Sequence, residues 1–441
     1  MVDPPKSLTA RELQQSEGAD DWRVLGTGAA AWFLTDSHAR GATLAGRVLE
    51  LADRTVTPLD LDVRARGVRV RIPLTPEDDG WTTDHLATAR EVSALAAELG
   101  LAADPAGLQD VQLTFDVLDQ AAVSPFWETV LGYARVGDED LVDPARRHPP
   151  IWFQDLGTEG PRPLRNRLHL DAVTPRPVAE AVLATVQARG ARVVPHGFYA
   201  TVADAEGNEV DLLELEDWPE QPWQAPGTED WRLVFAALAC YPTTAAGEAA
   251  GLVTAAAALA DDAGLPLNVD VRPGLVTVAT AKDAWETDGR YEALAARVQL
   301  AARGLGLVSD PALARFVQVG IDAVDVPAAR AFWRAALGYE QDPRTGVTDL
   351  VDPRQLNTTV FLQDLDVSET ARRAQRNRIH VDVFLPDDLL HERLEAALAA
   401  GGTVVHDAGP IWWTVADPEG NEVDLTTAAG REEHWRQAHP G

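Results

Sequence analysis

The chain says the same thing twice, and that constrains its fold more than any other feature. Asp204-Ala-Glu-Gly-Asn-Glu-Val-Asp211-Leu returns as Asp417-Pro-Glu-Gly-Asn-Glu-Val-Asp424-Leu. Upstream, Asn166-Arg167-Leu-His169-Leu-Asp171 is answered by Asn377-Arg378-Ile-His380-Val-Asp382. Earlier still, Phe126-Trp127 with Leu131-Gly132-Tyr133 matches Phe332-Trp333 with Leu337-Gly338-Tyr339. The offset drifts from 206 residues at Trp127/Trp333 to 213 at Asp204/Asp417, as small loop insertions make it. A tandem duplication of a long unit follows, and whatever the chain binds is expected in two similar sites.

With 441 residues the chain is expected to hold several domains, because single cores stop growing at roughly 250–300 residues. Its net charge of −31 argues against a nucleic-acid partner, whose phosphates need a basic face. No apolar run approaches the roughly 20 residues of a membrane span, and the N-terminus lacks the charged-then-apolar pattern of a signal sequence. Cys240 is the one cysteine, which excludes an intramolecular disulfide and a four-sulfur zinc site. A cytoplasmic protein without membrane or nucleic-acid partners is expected.

Within the duplication the pattern changes character halfway, giving four segments in the order A-B-A-B. The first A segment, 1–108, has an alanine-rich helical stretch from about Ser37 to Ala52. Its residues 61–74 then alternate as strands do, and Trp81-Thr-Thr-Asp84 leads into an amphipathic run, with Thr83 or Asp84 as the expected N-cap. Its echo, 228–308, follows a linker at 217–227 rich in Pro, Trp and Gln. The B segments, 109–216 and 309–430, each read as βαβββ followed by βαβββ, with Gly207-Asn208 and Gly420-Asn421 as hairpin turns. Residues 431–441 read as a tail.

The Phe-Trp and Leu-Gly-Tyr helix, the Asn-Arg-x-His-x-Asp strand and the Asp-x-Glu-Gly-Asn-Glu-x-Asp hairpin make the B segments resemble the vicinal-oxygen-chelate, or glyoxalase and bleomycin-resistance, superfamily. The A segments resemble pterin-4a-carbinolamine dehydratase, through Pro58-Leu-Asp-Leu-Asp62-Val63, Pro266-Leu-Asn-Val-Asp270-Val271 and Gly80-Trp81-Thr-Thr-Asp84. The two resemblances imply an α+β chain with two cupped-sheet domains, each of two βαβββ modules, alternating with two α/β sandwich domains. The dehydratase family uses a His-His-Pro-Asp motif for proton transfer. Here Val56-Thr57 precede Pro58 and Gly264-Leu265 precede Pro266, and aliphatic side chains move no protons. His85 does not match those positions and reads as a solvated or cap-proximal residue. Both A segments are therefore expected to be degenerate, without dehydratase activity.

For the B segments the superfamily places metal ligands on the first, fourth, fifth and eighth strands of the cup. Transferred here, the first-strand position falls on Gln112 and Gln318, and the last on Asp211 and Asp424. The fourth falls on or near Trp152 and Phe361, which bind no metal. On the fifth strand, strict register points to Arg167 and Arg378, with His169 and His380 two residues later. A strand period of two puts Arg167, His169 and Asp171 on one side, and likewise Arg378, His380 and Asp382. The implied metal set is thus Gln112, His169 and Asp211 in one copy and Gln318, His380 and Asp424 in the other. It could hold a divalent ion with an open position, although no cofactor is demanded. Burying one partner of a charge pair alone costs roughly 3–5 kcal/mol, so inward Arg, His and Asp need either a closed network or a wet pocket. The cup supplies the cavity, and Arg167, His169, Asp171, Arg378, His380 and Asp382 are expected to line a ligand pocket. Trp127 and Trp333 read as core. Trp152 and one of Trp412 and Trp413, taken as Trp412, read as pocket walls.

Two readings of function stand. The chain is a small-molecule-binding protein of the bleomycin-resistance kind, or a metal-dependent glyoxalase-like lyase or dioxygenase; a non-catalytic pterin-binding role of the A segments is a third. The duplication is expected to yield a monomer that mimics a dimer, or a homodimer.

Overall fold

Each repeated motif has a local cause in the computed structural model, which describes residues 6–55, 57–74, 80–157, 160–215, 223 and 225–438. Leu-Gly-Tyr is a helix stop: Gly132 and Gly338 end helices Gln120–Leu131 and Val326–Leu337 in the left-handed conformation, at φ 62° and 63°. A side chain at either position would also strike the guanidinium of Arg315 or Arg393. Asp119 and Asp325 start the same helices by accepting the amides of Ala122 and Ala328. The Asp-x-Glu-Gly-Asn hairpin closes on its own aspartate. Asp204 accepts the amides of Glu206 and Asn208 and the Trp127 indole N–H at 2.9 Å; Asp417 does the same for Glu419, Asn421 and Trp333. Glu206 then reaches back to the amides of Leu118 and Asp119, so the last hairpin of a copy anchors the start of its first helix.

The described residues form two compact units, neither of which is a continuous stretch of chain. One contains 1–109, 220–314 and 428–441, and the other 110–219 and 315–427. The like segments have come together, A with A and B with B. Residues 431–438 are the helix Arg431–Ala438 of the first unit rather than a tail. Val56 and residues 216–222 and 224, within or beside the expected linker, lie outside the described residues, while Trp223 packs edge-on to Trp231, 5.9 Å between centroids.

In the first unit the two A segments share one eight-stranded antiparallel sheet, joined where Asp60–Arg64 pairs with Asn268–Arg272 and Asp62 lies opposite Asp270. The alanine-rich helices His38–Ala52 and Ala246–Ala263 pack on each other, their small buried faces (Ala42, Ala45, Ala249, Ala256) permitting close approach. Ser37 caps the first of them. Thr82, not Thr83 or Asp84, is the N-cap of helix Thr83–Glu98, because His85 Nδ1 accepts the Thr82 amide at 3.1 Å. His85 is thus at the cap, and buried rather than solvated.

In the second unit the expectation that each B segment closes its own cup is corrected. There are two eight-stranded sheets, and each takes four strands from each copy. Strand Asp110–Val117 pairs antiparallel with Ile379–Phe384, and Phe316–Ala323 with Leu168–Val173. The first module of one copy therefore completes the second module of the other. Odd-numbered residues of the first strand (Val111, Leu113, Phe115, Val117) enter the core with the helices, which turns Gln112, Thr114 and Asp116 to the opposite, polar face.

Candidate functional site

The exchange of modules decides which predicted residues meet. Gln318 lies opposite Asp171, and Asp171 opposite Asp211, so Gln318 joins His169, Asp171 and Asp211. In the other sheet Gln112 joins His380, Asp382 and Asp424. The sets expected within one copy, Gln112 with His169 and Asp211 and Gln318 with His380 and Asp424, are corrected to sets that cross between copies. Asp171 and Asp382 enter the clusters themselves. In each triad one ligand atom per residue lies within 4.8 Å of the others.

In the His169 site, Gln318 donates from Nε2 to Asp171 at 2.8 Å and Thr201 donates to Asp211 at 2.5 Å. His169 Nε2 stands 3.7 Å from Asp171. In the His380 site, Gln112 and Thr114 donate to one oxygen of Asp382 at 3.1 and 2.8 Å. His380 Nε2 is 3.5 Å from Asp382 and 4.0 Å from Asp424. Burial opposes protonation of His380, but Asp382, Asp424, Asp116 and Glu422 together outweigh it and raise its pKa. Within the clusters the buried atoms His169 Nδ1, Gln318 Oε1 and Asp424 Oδ1 make no hydrogen bond. Such atoms are costly in a folded protein unless something else satisfies them.

The donor set suits a hard or borderline divalent cation: one imidazole nitrogen, two carboxylates and an amide oxygen. Ligands about 2.1 Å from such an ion lie at most about 4.2 Å apart, so small side-chain shifts bring the triads to bonding distance. The residues present fit a divalent ion.

Arg167 and Arg378, expected in the pocket, are committed elsewhere. Arg167 donates to the carbonyls of Arg372, Gln375 and Gly420 and to Asn421; Arg378 donates to the carbonyls of Arg162 and Leu164 and to Asn208. Both are buried braces across the exchanged modules. Trp127 and Trp333 are core, and Trp413 packs against the core while Trp412 takes the polar face. Trp152 sits on that face too, opposite Thr114, with its indole donating to Glu139 at 3.1 Å.

Sequence reasoning passed over Thr114, Thr201, Tyr199 and Gly320, and the pairs Arg162–Asp116 and Arg372–Asp322 that close the polar face beyond each cluster. The alternation of Gln112, Thr114 and Asp116 was the available signal for the first strand. The arginines carried none, lying four residues before Asn166 and five before Asn377. A separate cleft of about 320 Å³, between helices Gln120–Leu131 and Arg176–Ala188, is lined by Phe126, Val186, Arg189 and Arg192 and holds neither triad.

No curated protein matches the chain. Among solved structures it is similar to glyoxalase I of Zea mays, at 12% identity and a TM-score of 0.37, covering 76% of this chain and 98% of that one. A proposed dioxygenase of Bacillus subtilis is similar at 8% identity and a TM-score of 0.34, covering 75% and 88%. Residues 112–213 and 318–426 each match the family described as glyoxalase-like domain.

Proposed function

We propose that the chain is a small-molecule-binding member of the vicinal-oxygen-chelate superfamily whose two sites each hold a divalent cation. The observation that carries this reading is the meeting of His169, Asp171, Asp211 and Gln318, and of His380, Asp382, Asp424 and Gln112, with buried acceptors left without hydrogen bonds. A bound cation supplies a Lewis acid that polarises adjacent oxygens of a ligand. The chain's own groups do the rest. Thr201 and Thr114 orient Asp211 and Asp382. This is the footing on which a lyase or dioxygenase activity would stand.

The metal-free reading, a pocket of the bleomycin-resistance kind, is favoured by a different observation. Gln318 and Gln112 already donate to Asp171 and Asp382, which partly satisfies those carboxylates without an ion. The A segments we read as a degenerate dehydratase-like pair acting as scaffold, supported by the shared antiparallel sheet and the missing histidines.

Plasma mass spectrometry of the purified chain separates the two. About two divalent ions per chain, one lost in His169→Ala and the other in His380→Ala, is the expected result. A chain that stays empty after incubation with zinc, nickel, manganese and iron would leave the metal-free pocket.

A further inference from the structure

Because the chain carries its site twice, each copy serves as the other's control, and the two differ at matched positions. Across the sheets, Trp152, Thr114 and His380 form one row and Phe361, Gly320 and His169 the other. Elsewhere on the polar faces Trp412, beside Thr426, corresponds to Tyr199, beside Leu213.

The glycine sets off the difference. A Cβ at Gly320 would stand 2.3 Å from His169 Cε1, 2.5 Å from its Nε2 and 2.7 Å from Phe361 Cζ. His169 therefore lies over the bare backbone of Gly320, and Phe361 leans edge-on against it, with ring centroids 5.7 Å apart at 87°. Both rings use the space that a side chain at 320 would take. In the other site Thr114 fills the corresponding space, wholly buried and bonded to Asp382. Trp152 is not folded over the histidine; its indole is held to Glu139. The half-buried Trp412 stacks on His406, centroids 5.8 Å apart at 24°, as Tyr199 stacks on His196 at 4.6 Å and 18°, so the difference between the sites lies at Thr114, Gly320, Trp152 and Phe361.

Resting on the reading of both clusters as ligand sites, we infer that the two have diverged in the ligand they admit. The His380 site takes a flat ring against Trp152. The His169 site, with Phe361 drawn in over its histidine, takes only a small group. An aromatic side chain beside a few convergent polar groups is a usual element of a site for a planar ligand.

Two hydroxamates test this, since acetohydroxamate and benzohydroxamate offer the same pair of oxygens and only the second carries a ring. Calorimetry on the full chain incubated with manganese, with metal content read in the same samples, is expected to give two equivalents of acetohydroxamate and one of benzohydroxamate. Trp152→Ala should weaken benzohydroxamate at least tenfold, while Trp152→Phe and His169→Ala leave it within about twofold. Benzohydroxamate at both sites with similar affinity, or its loss in His169→Ala and not in His380→Ala, overturns the inference and leaves the metal reading intact. One equivalent of benzohydroxamate on a chain that takes up no manganese removes the metal reading and keeps the inference. Uptake of neither manganese nor benzohydroxamate removes both.

Discussion

Arg167 donates from Nε to Asn421 Oδ1 at 2.8 Å, so an arginine of the first copy is held by the hairpin of the second. Arg378 repeats the contact with Asn208 at the same distance. The backbones cross as well: the Arg167 amide donates to Asn377 and the Arg378 amide to Asn166, both at 2.8 Å. The Asn-Arg pair that introduces each histidine strand is thus a fastener between exchanged modules. Arg167→Ala would strand several buried carbonyls and Asn421 together, and should cost about 3–5 kcal/mol in chemical denaturation. Arg167→Lys should recover little, because a single ammonium cannot reproduce a fork that donates in several directions. A loss below about 1 kcal/mol in the alanine variant would show that the crossing does not hold the modules together.

Gly320→Ala should separate the two sites. The added methyl meets the His169 ring from 2.3 Å, and a ring packed against Phe361 has little room to yield. Overpacking of this kind costs about 1–3 kcal/mol. Metal content should fall from two ions toward one, with the His380 site unaffected. An unchanged melting temperature together with unchanged metal content would refute the placement of His169 over the glycine.

Asp140 faces Trp152 across its strand pair, and its carboxyl is pushed up to about 6, first by burial and then by the neighbouring charge of Glu139. A carboxylate raised above its unfolded value, near 3.9, destabilises the fold where it is ionised and has no effect below both values. Asp140→Asn should therefore stabilise the chain by about 1–2 kcal/mol at pH 8, after allowance for the solvent that partly screens it. The gain should fade between pH 6 and pH 4. Thermal melts of the two proteins across that range give the comparison, and a gain that persists at pH 4 would have another cause.

The duplicated motifs, the helix stops at Gly132 and Gly338 and the hairpins of Asp204 and Asp417 were legible because each acts within a few residues of itself. The exchange of modules was not. Gln112 can lie opposite an aspartate of the Asn-Arg-x-His-x-Asp strand in either copy, since Asp171 and Asp382 occupy the same place in the motif. Local complementarity is equal for the two pairings, and the sheets alone show that Gln112 meets Asp382. The arginines misled for a related reason. A period of two assigns a face only inside a strand, and Arg167 and Arg378 each precede theirs by one residue. Divergence between the sites was visible as Thr114 against Gly320, but the meaning of a missing side chain depends on what moves into its place.

In the first unit Asp62 carries the corresponding burden. It is 1% exposed and accepts Arg69 Nε at 2.7 Å from its own copy and Arg272 Nη2 at 2.6 Å from the other, with Arg64 3.8 Å away. Burial raises the Asp62 pKa, but Arg272, Arg69, Arg64 and Arg71 outweigh it and hold the carboxyl well below its usual range. For an acid lowered on folding, the contribution to stability is complete above the unfolded value, near 3.9, and is lost only as pH falls through the folded one. Asp62→Ala leaves these arginines buried without their shared anion and should cost about 3–5 kcal/mol at neutral pH. That penalty should shrink in acid, as the wild-type carboxylate itself becomes protonated. Asp62→Leu combined with Arg272→Leu should recover more than half of the loss, because a packed apolar pair carries no desolvation cost. Denaturation of the three chains at neutral pH decides it. If the double variant is no more stable than Asp62→Ala, removal of Arg272 brings no relief, and the damage lies with the arginines that remain rather than with the pairing across the two copies.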